Sequence, residues 1–108
     1  MEAIKRKFIN WTKTAKNLKL LRQDNLNLRR YVCGQLYFGK RDCAESCEVC
    51  TFDMDHSISQ SELAQVFNVS ESMVANWENN KSLPHLDDLI FYSQVCGIDL
   101  YDVVVFDD

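Results

Sequence analysis

Glycine and proline are nearly missing from this chain, at 3 and 1 of 108 residues. That scarcity argues against a turn-rich β fold and favours helices. No apolar run approaches the roughly 18 residues a membrane-spanning helix needs. The opening MEAIKRKFINWTK is basic and lacks the apolar core of a secretory signal. The expected compartment is therefore the cytosol, where the 5 cysteines are thiols or metal ligands rather than disulfides. There is no phosphate-cradling glycine loop and no Ser/His/Asp set at a defensible spacing. With 2 histidines in all, the chain reads as a non-enzyme. No small-molecule substrate is evident.

The length fits one domain, residues 1–108, and a hydrophobic content of 46% is enough for a modest core. Charge is unevenly spread. Residues 1–41 hold 11 of the 12 Lys and Arg and two acids, Glu2 and Asp24, for a balance of +9. Residues 42–108 hold Lys81 against 14 acids, a balance of −13, so the whole chain carries −4. Such asymmetry between halves points to a polyanion meeting the basic one.

The most informative stretch is SISQSELAQVFNVSESMVANWENNKSLP, residues 57–84. Ser59 can cap a helix, and Glu62 three residues on completes a capping box. Leu63, Ala64, Val66 and Phe67 follow as an apolar face at helical spacing. Asn68 stands where the chain must turn, and Asn tolerates a left-handed conformation. Ser70 can cap a second helix. Met73, Val74 and Trp77 form its expected inward stripe, which leaves Glu71, Ser72, Ala75, Asn76 and Asn79 facing outward. A polar face that begins at a helix N-terminus is what major-groove reading requires.

S-Q-S-E-L-A, then N-V-S-E-S-M-V-A-N-W-E-N-N-K and Pro84, resembles the Cro-like, phage-repressor (XRE) helix-turn-helix family. L-I-F-Y-S-Q-V-C-G-I-D-L-Y-D-V-V looks like that family's two closing helices, and Leu18, Leu21 and Arg22 like the end of its first. The resemblance covers about half the chain. Asn68 and Asn80 depart from it by standing where glycine is common. So do roughly thirty extra residues between the first helix and the helix-turn-helix pair. The resemblance implies a buried Arg22–Glu78 pair behind the recognition helix. It matches Glu71, Ser72 and Asn76 to base-reading positions and Gln60, Asn79 and Lys81 to backbone-contacting ones. It also implies a dimer, this chain with a second copy of itself, on a two-fold site in double-stranded DNA.

Residues 1–11 form a basic arm in which Ile4, Phe8, Ile9 and Trp11 alternate with Lys5, Arg6 and Lys7. It either docks as an extra helix or stays loose until DNA binds. A helix is expected over 12–25, with Ala15, Leu18 and Leu21 inward and Lys13, Lys16 and Lys19 on the other side. Residues 25–57 are the cysteine-rich insertion, and 58–82 the helix-turn-helix core. Within the insertion, Leu28, Tyr31, Val32 and Leu36 fall at helical spacing, giving a basic helix from Leu28 to about Phe38 with Arg29 and Arg30 at its start. A β-hairpin is the alternative, given Tyr31, Val32, Tyr37 and Phe38. Arg29, Arg30, Lys40 and Arg41 are its candidate phosphate-gripping residues.

Cys33, Cys43, Cys47 and Cys50 have the spacing C-x9-C-x3-C-x2-C. Zinc prefers four tetrahedral thiolate or imidazole ligands, and short C-x2-4-C pairs supply two from one turn. Metal binding can order a segment too small to bury its own core. His56 is the reserve fourth ligand in place of Cys33. Ordinary thiols, disulfides and an iron–sulfur cluster are the alternatives. Cys96 reads as a small core residue.

Pro84 suits the first turn of the next helix, with Asp87 and Asp88 at its positive end. Leu86, Leu89, Ile90 and Val95 are expected inward, Gly97 ends the helix, and His85 lies on the surface. Asp99 can cap a last helix whose Leu100, Val103, Val104 and Phe106 close the core. V-V-V-F is β-prone, so a short strand or dimer contact can form there. The sequence thus specifies an all-α, five-helix repressor-like helix-turn-helix domain with a small, metal-stabilised insertion. The expected function is sequence-specific transcriptional regulation, as a repressor that reads the major groove from Ser70 to Asn79. The alternatives are a metal- or redox-responsive regulator that uses the cysteines as sensor, and a protein-interaction module that uses the acidic helix-turn-helix face.

Overall fold

Asparagine does in this chain much of what glycine does elsewhere. In a computed structural model that describes residues 6–37 and 57–107, six helices are present: α1 Trp11–Asp24, α2 Leu26–Tyr37, α3 Gln60–Phe67, α4 Glu71–Glu78, α5 Leu86–Cys96 and α6 Leu100–Val103. Asn10 caps α1 by accepting a hydrogen bond from the Lys13 N–H at 3.0 Å. Asn25 leaves the helical conformation and ends α1, and its side chain accepts from the Leu28 N–H at 2.9 Å to start α2. Asn68 and Asn80, both at φ 57°, end α3 and α4 in the left-handed region. The Val69 N–H returns to Ala64 O at 3.0 Å and the Lys81 N–H to Asn76 O at 2.8 Å, so both helix ends have satisfied carbonyls. Gly97, at φ 67°, plays the same part for α5. A Cβ there would lie 2.8 Å from Asn27 Nδ2, an atom that donates to Cys96 O.

The five expected helices are joined by the insertion's own helix, α2, so the hairpin alternative is set aside. α2 is no appendage. Leu28 and Val32, one turn apart, are fully buried, and α2 packs on α5, α3 and α1. With Leu18, Ile58, Leu63, Phe67, Val74, Trp77, Leu89, Tyr92 and Val95 they make one continuous core. Phe67 is central to it, with ring centroids 4.7 Å from both Phe91 and Tyr92 and 6.1 Å from Trp77.

The described part of the arm, residues 6–10, is neither a helix nor loose. Ile9 forms an antiparallel bridge with Phe106, the Asn10 N–H donates to Val105 O at 2.7 Å, and the Asp107 N–H donates to Phe8 O at 2.9 Å. The β-prone V-V-V-F run is thus spent on a terminal clasp. Asn17 Nδ2 strengthens it by donating to Asp102 O and Val103 O, and Thr14 Oγ1 accepts from the Val105 N–H.

Three expected orientations are corrected. Met73 is 42% exposed rather than inward, and Leu86 and Ile90 are 62% and 39% exposed. α5 carries apolar residues on most of its circumference; Leu89, Tyr92, Val95 and Cys96 are buried in the core and Phe91 packs, partly buried, against it. Pro84 is buried but precedes α5, whose N-cap is His85. Asp99 occupies the N-cap position of α6 without a side-chain capping bond.

Candidate nucleic-acid interface

The helix-turn-helix is fixed by local chemistry at each end. Ser59 Oγ accepts from the Glu62 N–H, and Glu62 Oε1 accepts from the Ser59 N–H, both at 3.0 Å. This is the expected capping box. Glu62 does more than cap, since its Oε2 accepts from the Tyr37 hydroxyl at 2.6 Å and so ties α3 to α2. Ser70 Oγ accepts from the Met73 N–H at 3.1 Å and starts α4. Its oxygen also lies 3.1 Å from Ser72 Oγ.

Behind α4 lies the expected ion pair. Arg22 Nε is 2.8 Å from Glu78 Oε2 and Arg22 Nη2 is 2.9 Å from Glu78 Oε1, a bidentate contact with both residues buried. Arg22 Nη1 donates to Ile58 O at 2.7 Å, and Gln60 Nε2 to Glu78 Oε1 at 3.1 Å. Four elements are thereby pinned together: α1, the entry to α3, α3 itself and α4. Gln60, expected at the DNA backbone, has its amide nitrogen engaged here.

The outward face of α4 is free for a partner. Glu71, Ser72 and Asn79 are exposed and Asn76 is half-buried. The side chains of Glu71, Asn76 and Asn79 make no hydrogen bond among the described residues. Met73 joins this face, a residue that the inward stripe read from the sequence had misplaced. Lys81 is exposed in the turn after Asn80.

Arg29 and Arg30 are half-buried on α2, each engaged in an interaction. Lys40 and Arg41 lie outside the described residues. So do Cys43, Cys47, Cys50 and His56. Among the described residues no three His, Cys, Asp or Glu side chains are grouped to hold a metal. Cys33 is buried on α2 beside the core.

Beside the helix-turn-helix, α1 and the end of α4 enclose an open groove of about 600 Å³. Lys16 and Lys19 stand on its α1 side, Asn79 and Asn80 on its α4 side, and Ala15 and Leu20 add apolar lining. Sequence reading placed these lysines on the outer side of α1 and counted them among the phosphate-neutralising cations of residues 1–41, without a position relative to α4. Their spacing of three was the available signal, but the approach of α4 was not.

Two further ionisable groups, Cys96 and Tyr92, are fully buried in the core. Burial pushes the Cys96 thiol up to about 12. Burial first, and then the Glu78 carboxylate, raises the Tyr92 hydroxyl well above its ordinary range. Tyr92 Oη is buried without a hydrogen-bond partner among the described residues. Both groups stay neutral and belong to the core, not to a reactive site. No described helix is long and apolar enough to cross a membrane.

Residues 55–103 match the family model described as Helix-turn-helix. No curated protein and no solved structure matches the chain. The matched segment holds α3 to α6, with the capping box, the two left-handed asparagines and Glu78 of the buried pair. That match supports a DNA-binding regulatory segment with DNA as its partner. Residues 55–103, just under half of the chain, are thus a helix-turn-helix segment, which supports the resemblance to the Cro-like, phage-repressor (XRE) family.

Proposed function

We propose that the protein is a sequence-specific transcriptional repressor that seats α4 in the major groove, N-terminus first. The observation that carries this reading is the pairing of a free outward face on α4 with a rigid back. Base reading needs side chains held in one register, and the Arg22–Glu78–Gln60 network supplies that hold. Asn76, with its amide free, suits a bidentate pair with adenine, and Glu71 can accept from a cytosine amino group. Met73 beside them can meet a thymine methyl. Ser70, Ser72, Asn79 and Lys81 frame this face as further base and backbone contacts, and Gln60 adds its amide oxygen. Arg29, Arg30, Lys40 and Arg41 add cations that α3 to α6 lack. A second copy of the chain would read the other half of a two-fold site. Zinc held by Cys43, Cys47, Cys50 and either Cys33 or His56 would order the segment between α2 and α3.

The test is selection of duplexes from a random pool by the purified protein, followed by sequencing. Enrichment of a two-fold motif supports the repressor reading, and a pool unchanged after several rounds overturns it. A second reading rests on the acidic character of residues 57–107, in which Lys81 is the only Lys or Arg. Together with exposed Leu83, Leu86 and Ile90 this surface also suits a protein partner.

A further inference from the structure

We propose that the groove between α1 and the end of α4 is a seat for the sugar-phosphate backbone of the duplex that α4 reads. The inference rests on the proposed function and adds a binding site to it.

A helix about 10–12 Å across fills a major groove about 12 Å wide. Phosphates must therefore run directly alongside it. What lies beside α4 decides whether the duplex is welcomed or repelled. The face itself is poor in cations, since Glu71 lies on it and Asp87 and Asp88 follow close in the chain. The groove corrects this. Lys16 and Lys19 are exposed on its α1 wall, and neither has a hydrogen-bond or ion-pair partner among the described residues. Glu78, which also lines the groove, is not a competing anion, because Arg22 holds both its oxygens.

Asn79 links the groove to the reading face. It lies seven residues after Ser72 and three after Asn76, hence on the same side of α4, and it also forms the groove's rim. Asn80 fixes the rim in place: its left-handed backbone ends α4, and its Nδ2 donates to Thr12 Oγ1 of α1 at 3.3 Å. The result is a fixed channel with two unpaired ammonium groups and one unpaired amide at its edge, continuous with the helix that reads bases. The apolar lining of Ala15 and Leu20 suits the deoxyribose.

The experiment compares the wild type with Lys16→Gln/Lys19→Gln, measuring binding to a selected and a scrambled duplex across a range of salt. Gln and Lys have nearly equal helix propensities and both sites are exposed, so the thermal melt serves as a folding control. Each neutralised phosphate adds about 0.9 to the slope of log affinity against log salt. The variant should lose about two units of slope on both duplexes and keep its preference between them. Lys16→Arg/Lys19→Arg should restore the slope. A variant that binds with the wild-type slope overturns the groove assignment and leaves the repressor reading standing. A loss confined to the selected duplex also overturns it, because it would make the lysines base readers. A wild type with no affinity for either duplex overturns both readings.

Discussion

Arg22 and Glu78, 56 residues apart in the chain, meet in a buried bidentate pair 2.8 and 2.9 Å long. The pair holds the first helix against the reading helix. Its net contribution to stability is small, because desolvating two charges offsets most of their attraction. Breaking it is another matter. Arg22→Met would strand the Glu78 carboxylate in the core and cost about 3–5 kcal/mol, read by urea unfolding. Arg22→Met/Glu78→Leu should recover most of that loss and yet bind DNA more weakly than wild type, since the hold on α4 is gone. A single variant as stable as wild type would show that the pair is dispensable.

A pH dependence follows from the core. The folded Cys96 thiol titrates at about 12 against an ordinary 9.0, so above pH 9 the unfolded chain loses this proton more readily than the folded one. Stability is therefore full below about pH 9 and falls as pH rises toward 12. Tyr92, also raised, adds to the fall above its ordinary range. Cys96→Ala should shrink the alkaline loss while lowering stability at neutral pH through the cavity it leaves. Tyr92→Phe removes a buried hydroxyl that has no partner, and should be neutral or stabilising at pH 7. Equal alkaline slopes in the wild type and both variants would contradict this.

The metal proposal gains a sharper form from the position of α2. Native mass spectrometry should find about one zinc per chain. Because Leu28 and Val32 are in the core, chelation should leave amide exchange in α2 slow and raise it only beyond Tyr37. No metal, with Cys43, Cys47 and Cys50 all freely alkylated, would remove the site.

How far the fold was legible depended on the range of the interactions. Ser59–Glu62, Ser70 and the turn at Asn68 involve residues within a few positions of one another, and their side-chain chemistry announces them. The Arg22–Glu78 contact spans 56 positions and came only from the family resemblance. The orientations of Met73, Leu86 and Ile90 were misjudged for a physical reason. α5 has apolar residues on too many sides for periodicity to give a phase, and Met73 stands on the edge of a stripe in a short helix. Leu28 and Val32 showed a core-facing pair at helical spacing, but nothing local said that α2 would be built into the main core. The groove was illegible for the same reason: Lys16 and Asn79 become neighbours only when α1 packs on α4.

The central claim is that the free face of α4 reads bases, and Asn76 tests it most directly. Its side-chain amide makes no hydrogen bond among the described residues, and it is half-buried on the outward face of α4. The measurement is the affinity of wild type and Asn76→Ala for a selected duplex and a scrambled one at fixed salt. The variant should lose about 1–3 kcal/mol on the selected duplex and almost nothing on the scrambled one. Equal losses on both, or no loss on either, would contradict the account.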